Sequence, residues 1–223
     1  MVLVFGELVI IVFALVVTVG TRSASLGGMP ITPAIPVDRG ASADPAPDGP
    51  FVARLRAGRW GTVLALLTIL LGFALGGAFG AFEATFKDGL TERAEAVRDS
   101  VYGGDAAKMK SVVDKSWTFY KRAHMHGGGI GGVALGGILL LAALQRPRRR
   151  ARQAASLALG LGGLGYATFW LLGARAAPGL GGTDAAKESL AWLAVPSAGL
   201  LLLGLCAVIA LTVIDLFAPR PST

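Results

Sequence analysis

Charged and reactive residues are scarce in this chain of 223 residues. Asp, Glu, Lys and Arg make up 16% of the sequence, histidine occurs twice, and asparagine is absent. The single cysteine, Cys206, excludes an internal disulfide, and its apolar neighbours are typical of a small hydrophobic core residue. No nucleophile, base and orienting group are combined in a motif, so the sequence does not support catalysis by this chain.

Hydrophobic residues dominate instead. They make up 53% of the chain, whose mean hydropathy of +0.62 is too high for an ordinary soluble domain. A helix needs about 20 apolar residues to cross a bilayer, and five stretches approach or exceed this length: residues 2–20, 60–82, 128–144, 156–173 and 190–214. The sequence therefore predicts an all-α integral membrane protein with five transmembrane helices, the second to fifth forming an up-down bundle.

The region around the first stretch predicts a helix that stands apart from this bundle. No Lys or Arg precedes the stretch, whereas a signal peptide begins with a basic region, so we expect residues 1–21 to be a retained transmembrane helix. Residues 22–58 are rich in proline and predict an extended or disordered cytoplasmic linker. The bundle then occupies residues 59–216, and residues 217–223 form a tail.

Two arginine-rich connections predict the orientation in the membrane. One follows the first helix and the other joins the third to the fourth; their arginines are Arg22, Arg39, Arg54, Arg56 and Arg59, and Arg146, Arg148, Arg149, Arg150 and Arg152. Basic connections stay cytoplasmic, which places the N-terminus outside and the C-terminus inside. The abundance of Ala, Gly and Arg is typical of a GC-rich bacterium, so we expect a bacterial inner membrane. The net charge of +7 then marks the inner face, where lipid is the expected partner and nucleic acid is not.

The long outer connection predicts a helical hairpin over residues 84–126. Apolar residues recur at helical spacing on both sides of Gly103-Gly104, which predicts a turn, and Asp105 is a candidate N-cap for the second arm. That arm runs into the third transmembrane helix. The positions of the tryptophans support the predicted spans. All four tryptophans are near predicted membrane boundaries, where indole rings settle at headgroup level: Trp60, Trp117, Trp170 and Trp192.

Glycine repeats predict close contacts between the helices. Every fourth residue is glycine in parts of the second and third helices, and these candidate packing residues are Gly72, Gly76 and Gly80, and Gly128, Gly132 and Gly136. The fourth helix contains Gly160, Gly162 and Gly165 in the spacing of a dinucleotide-binding loop. No strand precedes this motif, so we interpret it as a packing face too.

His124 and His126 are the candidate ligands for a cofactor or metal. They lie where the charged hairpin meets the third apolar stretch, and Glu83 is expected at a similar depth at the outer end of the second helix. Residues i and i+2 of a helix point about 200° apart, so both imidazoles bind one ion only if the chain is extended there. In a continuous helix, they become interface residues or share a metal or haem with another chain. A pH switch is a further alternative.

Two classes of function remain open. The first is a non-catalytic subunit of a larger membrane complex, respiratory or electron-transferring, in which other membrane subunits are partners and His124 or His126 is an outer-face ligand to haem or a transition metal. The second is a small transporter or channel. This requires a polar path, yet no Asp, Lys, Arg or His lies deep in the second to fifth stretches. A membrane-embedded enzyme is a third reading, based only on Glu83 and the two histidines.

Overall fold

The computed structural model describes residues 49–218, and every regular element in this range is an α-helix. The helices are α1 Pro50–Ala57, α2 Arg59–Glu95, α3 Arg98–Tyr102, α4 Ala106–Ala143, α5 Arg149–Ala176, α6 Thr183–Ser189 and α7 Ala191–Phe217. Four of them, α2, α4, α5 and α7, are long and apolar enough to cross a membrane. This confirms the all-helical class and agrees with a multi-pass membrane protein. The predicted first helix lies outside the described residues.

The helices α2 and α4 are longer than a bilayer requires. They contain 37 and 38 residues, whereas about 20 suffice to cross the hydrocarbon core. The excess brings both helices to the turn at Gly103 and Gly104, whose φ angles of 61° and 79° suit glycine. Asp105 caps α4 as predicted, because its carboxylate accepts a hydrogen bond from the backbone N–H of Lys108 at 2.9 Å. We call the end of the helices that carries α3 and α6 the hairpin end.

The backbone of α2 departs from helical geometry at Phe82, where φ is −136° and ψ is 30°. This kink coincides with the predicted end of the second apolar stretch. The break therefore separates the apolar part of α2 from the charged part that continues towards the hairpin end.

Three clusters of buried side chains hold the helices together. Helix α4 packs against both α2 and α5, and α7 packs mainly against α5. The cluster in the middle of the molecule is aromatic, the second lies towards the end of α4, and the third lies at the hairpin end and consists of Ala94, Tyr102, Met109, Val112, Ala177 and Ala186. The hairpin end is therefore a packed part of the fold with its own core.

Two arginines donate hydrogen bonds to the carbonyl groups at the C-terminal end of α4. Arg54 donates from Nη1 to the carbonyl oxygens of residues 142–144 at 3.1 to 3.3 Å. Arg152, only 6% exposed, donates from Nε to the Leu141 oxygen at 2.9 Å and from Nη2 to the oxygen of residue 144 at 2.6 Å. The last carbonyls of a helix lack partners within the helix, and here guanidinium groups supply them. The described part of the first arginine-rich connection thus meets the second connection at the end of the helices opposite the hairpin end.

The last part of the predicted linker is helical, which differs from the extended or disordered chain expected for residues 22–58. Pro50 stands in the first turn of α1, where a proline is tolerated because the N–H it lacks would have no partner within the helix. Arg54 then ties this helix to the end of α4. Proline content alone suggested an unstructured segment, while the long-range hydrogen bonds of one arginine favour a folded one.

Candidate functional site

His124 joins α4 to α2 through a hydrogen bond. Its Nδ1 lies 2.7 Å from the carbonyl oxygen of Gly72, and since a carbonyl only accepts, Nδ1 carries the hydrogen. Gly76 makes room for the ring, because a Cβ there would lie 2.5 Å from Cε1 of His124. The edge of the Phe79 ring packs nearby, with 6.4 Å between ring centroids. The His124 imidazole is therefore oriented by the backbone of the neighbouring helix.

His126 contacts a different helix. Its ring stacks on Tyr166 of α5, with centroids 5.4 Å apart and 17° between the planes, and it meets Trp170 edge-on at 5.7 Å. Because α4 is continuous here, positions i and i+2 point to different sides. His124 faces α2 and His126 faces α5, so the chain does not direct both imidazoles at one point.

Glu83 is not level with the histidines. Its carboxylate pairs with Lys87 at 2.5 Å, and the Lys87 ammonium lies 5.3 Å from the centroid of Trp117. Trp117 comes seven residues before His124 on α4, which corresponds to about 10 Å along a helix. The prediction that Glu83 and the histidines share one depth is therefore wrong. The register of the two helices places Gly72 of α2, rather than Glu83, opposite His124. Within residues 49–218, no group of three His, Cys, Asp or Glu side chains is placed to hold a metal ion.

An aromatic cluster surrounds this region. The Phe79 ring contacts three others, with centroid distances of 5.2 Å to Phe86, 5.2 Å to Trp117 and 5.8 Å to Tyr120. Rings that meet edge to face stabilise a contact beyond their buried area. These rings therefore fix the part of α4 nearer the hairpin end against α2, next to His124.

Trp170 is buried between α4 and α5 and lacks the exposure of an anchor in contact with lipid, while its position near a membrane boundary stays a prediction. Its side chain is only 9% exposed, and its ring lies 4.7 Å from Phe119 and under the Arg122 guanidinium at 4.9 Å. The indole Nε1 is buried and has no hydrogen-bond partner among the described residues. Position near a boundary did not distinguish Trp170 from Trp192, which is 70% exposed as a boundary anchor would be.

The glycines that allow close approach are partly the predicted ones. On α2, a Cβ at Gly72 would lie 2.3 Å from the Gly128 nitrogen, whereas a Cβ at Gly80 would meet nothing within 4 Å. On α4, the predicted strip is displaced by one residue: Gly127 and Gly131 contact α2, while Gly128, Gly132 and Gly136 would accept a Cβ without contact. More than one glycine strip with a four-residue repeat begins within the triplet at 127–129. The sequence does not distinguish these strips, and only the packing of the helices shows which one makes contact.

The glycines of the dinucleotide-like motif also pack against helices. A Cβ at Gly160 would lie 2.8 Å from the Gly61 oxygen, one at Gly162 would lie 2.5 Å from the Leu201 nitrogen, and one at Gly165 would approach Ser197. These contacts confirm the packing interpretation of the motif. They also show that α5 uses its glycines against two helices, α2 and α7.

The site offers one oriented imidazole and a surrounding aromatic layer. With Nδ1 donating to a carbonyl, the neutral His124 ring keeps its lone pair on Nε2, as ligand histidines commonly do. His126 instead contributes a stacking surface. No protein-family model, curated protein or solved structure matches this chain.

Proposed function

We propose that this chain is a non-catalytic integral-membrane subunit of a larger membrane protein complex. The observation that carries the proposal is the packed hairpin end. There α2 and α4 extend well beyond a membrane crossing, and α3 and α6 join them around a separate core. Such an extension gives the chain a folded surface beyond the membrane on which another subunit can dock.

The interior of the spanning part supports a packing role. His124 and His126 hold α4 to the two helices on either side of it, and glycines bring the helix backbones together. Such contacts make a rigid platform because small residues allow close helix packing in lipid. The hairpin end is then presented in one fixed position.

The docking face that we propose lies on the outer side of α4. The exposed face there is formed by Ala107, Lys110, Ser111, Asp114, Lys115 and Thr118. Lys110 and Asp114 form an exposed ion pair at 2.7 Å, so this face presents both signs of charge. Charges of both signs on one helix face favour a protein partner, since they set the register of an interface.

Native extraction tests this proposal. The wild-type chain, extracted from its own membranes in a mild detergent, is expected to migrate as part of a larger assembly. Ser111→Trp places a large ring on this exposed face and is expected to release the chain, whereas Thr91→Trp, on an exposed position of α2, keeps it in the assembly. Wild-type chain found only as free monomer overturns the proposal, and full assembly of Ser111→Trp overturns the location of the docking face.

An electron-transfer role is a second proposal, favoured by the geometry of His124. Its Nε2 is the available nitrogen, but His126 and Glu83 lie elsewhere, so a haem or transition metal there needs further ligands from a partner chain. The optical spectrum and metal content of the native assembly decide this point. A preparation without a Soret band and without stoichiometric metal removes the proposal.

We also propose a bacterial inner membrane with the hairpin end outside and the C-terminus in the cytoplasm. Arg54 and Arg152 meet at one end of the helices, which puts both basic connections on the same side. Reporter fusions after Gly103 and Arg150 test this orientation. A cytoplasmic signal from the fusion after Gly103 reverses it. The predicted first transmembrane helix, at residues 1–21, would place the N-terminus outside.

A further inference from the structure

A concave surface at the hairpin end brings two arginines together. It has a volume of about 470 Å³ and lies between the end of α2 and the end of α5, where it is lined by Arg93, Ala96, Arg175, Ala176, Gly179 and Leu180. The charged groups of its lining are both guanidinium groups.

Neither of these arginines has an acidic partner among residues 49–218. Nearby cations do: Arg98 pairs with Glu95 at 3.6 Å, and Lys187 pairs with Asp184 at 2.8 Å. Arg93 and Arg175 both line this concavity, and the positive charge of each also acts on the Tyr120 hydroxyl. Two positive charges that line one concavity create a positive potential that attracts an anion.

The lining selects the class of anion. A guanidinium group presents N–H donors in a planar fork that matches the oxygens of a phosphate, and two such groups from separate helices can hold one phosphate from two sides. Leu180, which is 46% exposed, adds an apolar edge to the same surface. A phosphate group attached to an apolar body fits both parts of this lining.

We propose that Arg93 and Arg175 form a binding site for a phosphate-bearing anion at the hairpin end. The phosphate belongs either to the headgroup of an anionic phospholipid or to a free phosphate compound. The site does not depend on the proposed role in a complex, since it consists of residues of this chain alone.

Binding is measured on the full chain in detergent by native mass spectrometry, in separate titrations with phosphatidylglycerol and inorganic phosphate. We expect the wild type to bind at least one of them. The double variant Arg93→Gln/Arg175→Gln is expected to bind it with an affinity reduced by about tenfold or more, because two charge-assisted contacts are lost. The matched control is Arg98→Gln/Lys187→Gln, which removes two charges from the same end outside the concavity. Its affinity is expected to stay within about twofold of wild type.

The titrations also distinguish the sources of the phosphate. Binding of phosphatidylglycerol alone identifies a lipid site, and binding of inorganic phosphate identifies a site for a soluble anion. Equal weakening in both double variants, or no binding of either anion to the wild type, overturns the proposal. If the double variant does not fold, the single variants Arg93→Gln and Arg175→Gln are titrated, and wild-type affinity in both of them overturns it as well.

Discussion

The Nδ1 of His124 donates a hydrogen bond to the carbonyl oxygen of Gly72, 2.7 Å away and 52 positions earlier in the chain. The ring reaches this oxygen because Gly76, one turn further along α2, has no side chain. The glycines of α2 therefore serve two purposes, since Gly72 admits the backbone of α4 and Gly76 admits a side chain from it.

Gly76→Ala tests the fit of the imidazole against α2. The added Cβ would lie 2.5 Å from Cε1 of His124, so the ring must move and its hydrogen bond is strained. We expect a loss of about 1–3 kcal/mol in the free energy of unfolding, seen as a lower melting temperature in detergent. Gly80→Ala is the control one turn away, where a Cβ meets nothing within 4 Å, and it is expected to be neutral or slightly stabilising. Equal effects of the two substitutions contradict the contact.

The register of α4 against α2 is tested by adjacent glycines. A Cβ at Gly127 would lie 2.6 Å from the Cα of Gly72, and backbone on both sides leaves little freedom to adjust. Gly127→Ala is therefore expected to destabilise the protein by about 2 kcal/mol or more, whereas Gly128→Ala is tolerated. Melting temperatures of the two variants give the comparison. The opposite order would mean that the glycine strip predicted from the sequence, 128–132–136, is the packed one.

The two histidines are expected to respond differently to phenylalanine. His124→Phe keeps a ring but loses the N–H that donates to the Gly72 oxygen. The free energy of unfolding is expected to fall by about 0.5–1.5 kcal/mol, because that oxygen then faces a ring without a donor. His126→Phe retains a ring that stacks on Tyr166, so its stability is expected to stay close to wild type. Chemical denaturation in mixed micelles measures both. A larger loss for His126→Phe shows that this ring is held by more than stacking.

The local features of the fold were readable in the sequence. The turn at Gly103-Gly104 and the cap at Asp105 depend on the residues at those positions and their neighbours, so their chemistry predicted their structure. The four helices in residues 49–218 that are long and apolar enough to span a membrane were equally predictable, because apolar length is a property of one segment at a time.

Relations between segments were not readable in the same way. Whether Gly72 or Glu83 stands opposite His124 depends on how far two long helices slide, and the apolar stretches of α2 and α4 are staggered rather than aligned. The strip at Gly127 and Gly131 was hidden among neighbouring glycines that offer the same repeat. Arg152 was visible only as a charge that indicates topology, although its buried guanidinium group also completes the end of α4.

Arg152→Lys tests this structural role. A lysine keeps the charge but lacks the planar fork that reaches the carbonyl oxygens of both Leu141 and Leu144. We expect a loss of roughly 2–4 kcal/mol in the free energy of unfolding because at least one buried charge-assisted contact disappears. Arg150→Lys, at an exposed position of the same cluster, is the control and is expected to be neutral. If both variants melt like wild type, the arginine contributes charge alone.

The stability of the hairpin end is expected to fall in alkaline solution through Tyr102. Its hydroxyl donates to the carbonyl oxygen of Pro178 at 2.6 Å, and burial raises the pKa of Tyr102 above its ordinary value of 10.0. Because the folded state holds this proton more tightly than the unfolded state, the resulting stabilisation is complete below about pH 10 and is lost as the pH rises through the pKa of the folded protein.

Tyr102→Phe isolates this contribution from other alkaline effects. At pH 7 it loses one hydrogen bond, which costs about 0.5–1.5 kcal/mol, and it no longer has the phenol whose ionisation destabilises the fold. Melting temperatures measured between pH 7 and pH 11 are therefore expected to fall less steeply for Tyr102→Phe than for wild type, with the two curves converging at high pH. Tyr166→Phe retains Tyr102 and is expected to keep the wild-type slope. Parallel curves for wild type and Tyr102→Phe show that the ionisation of Tyr102 is not linked to folding.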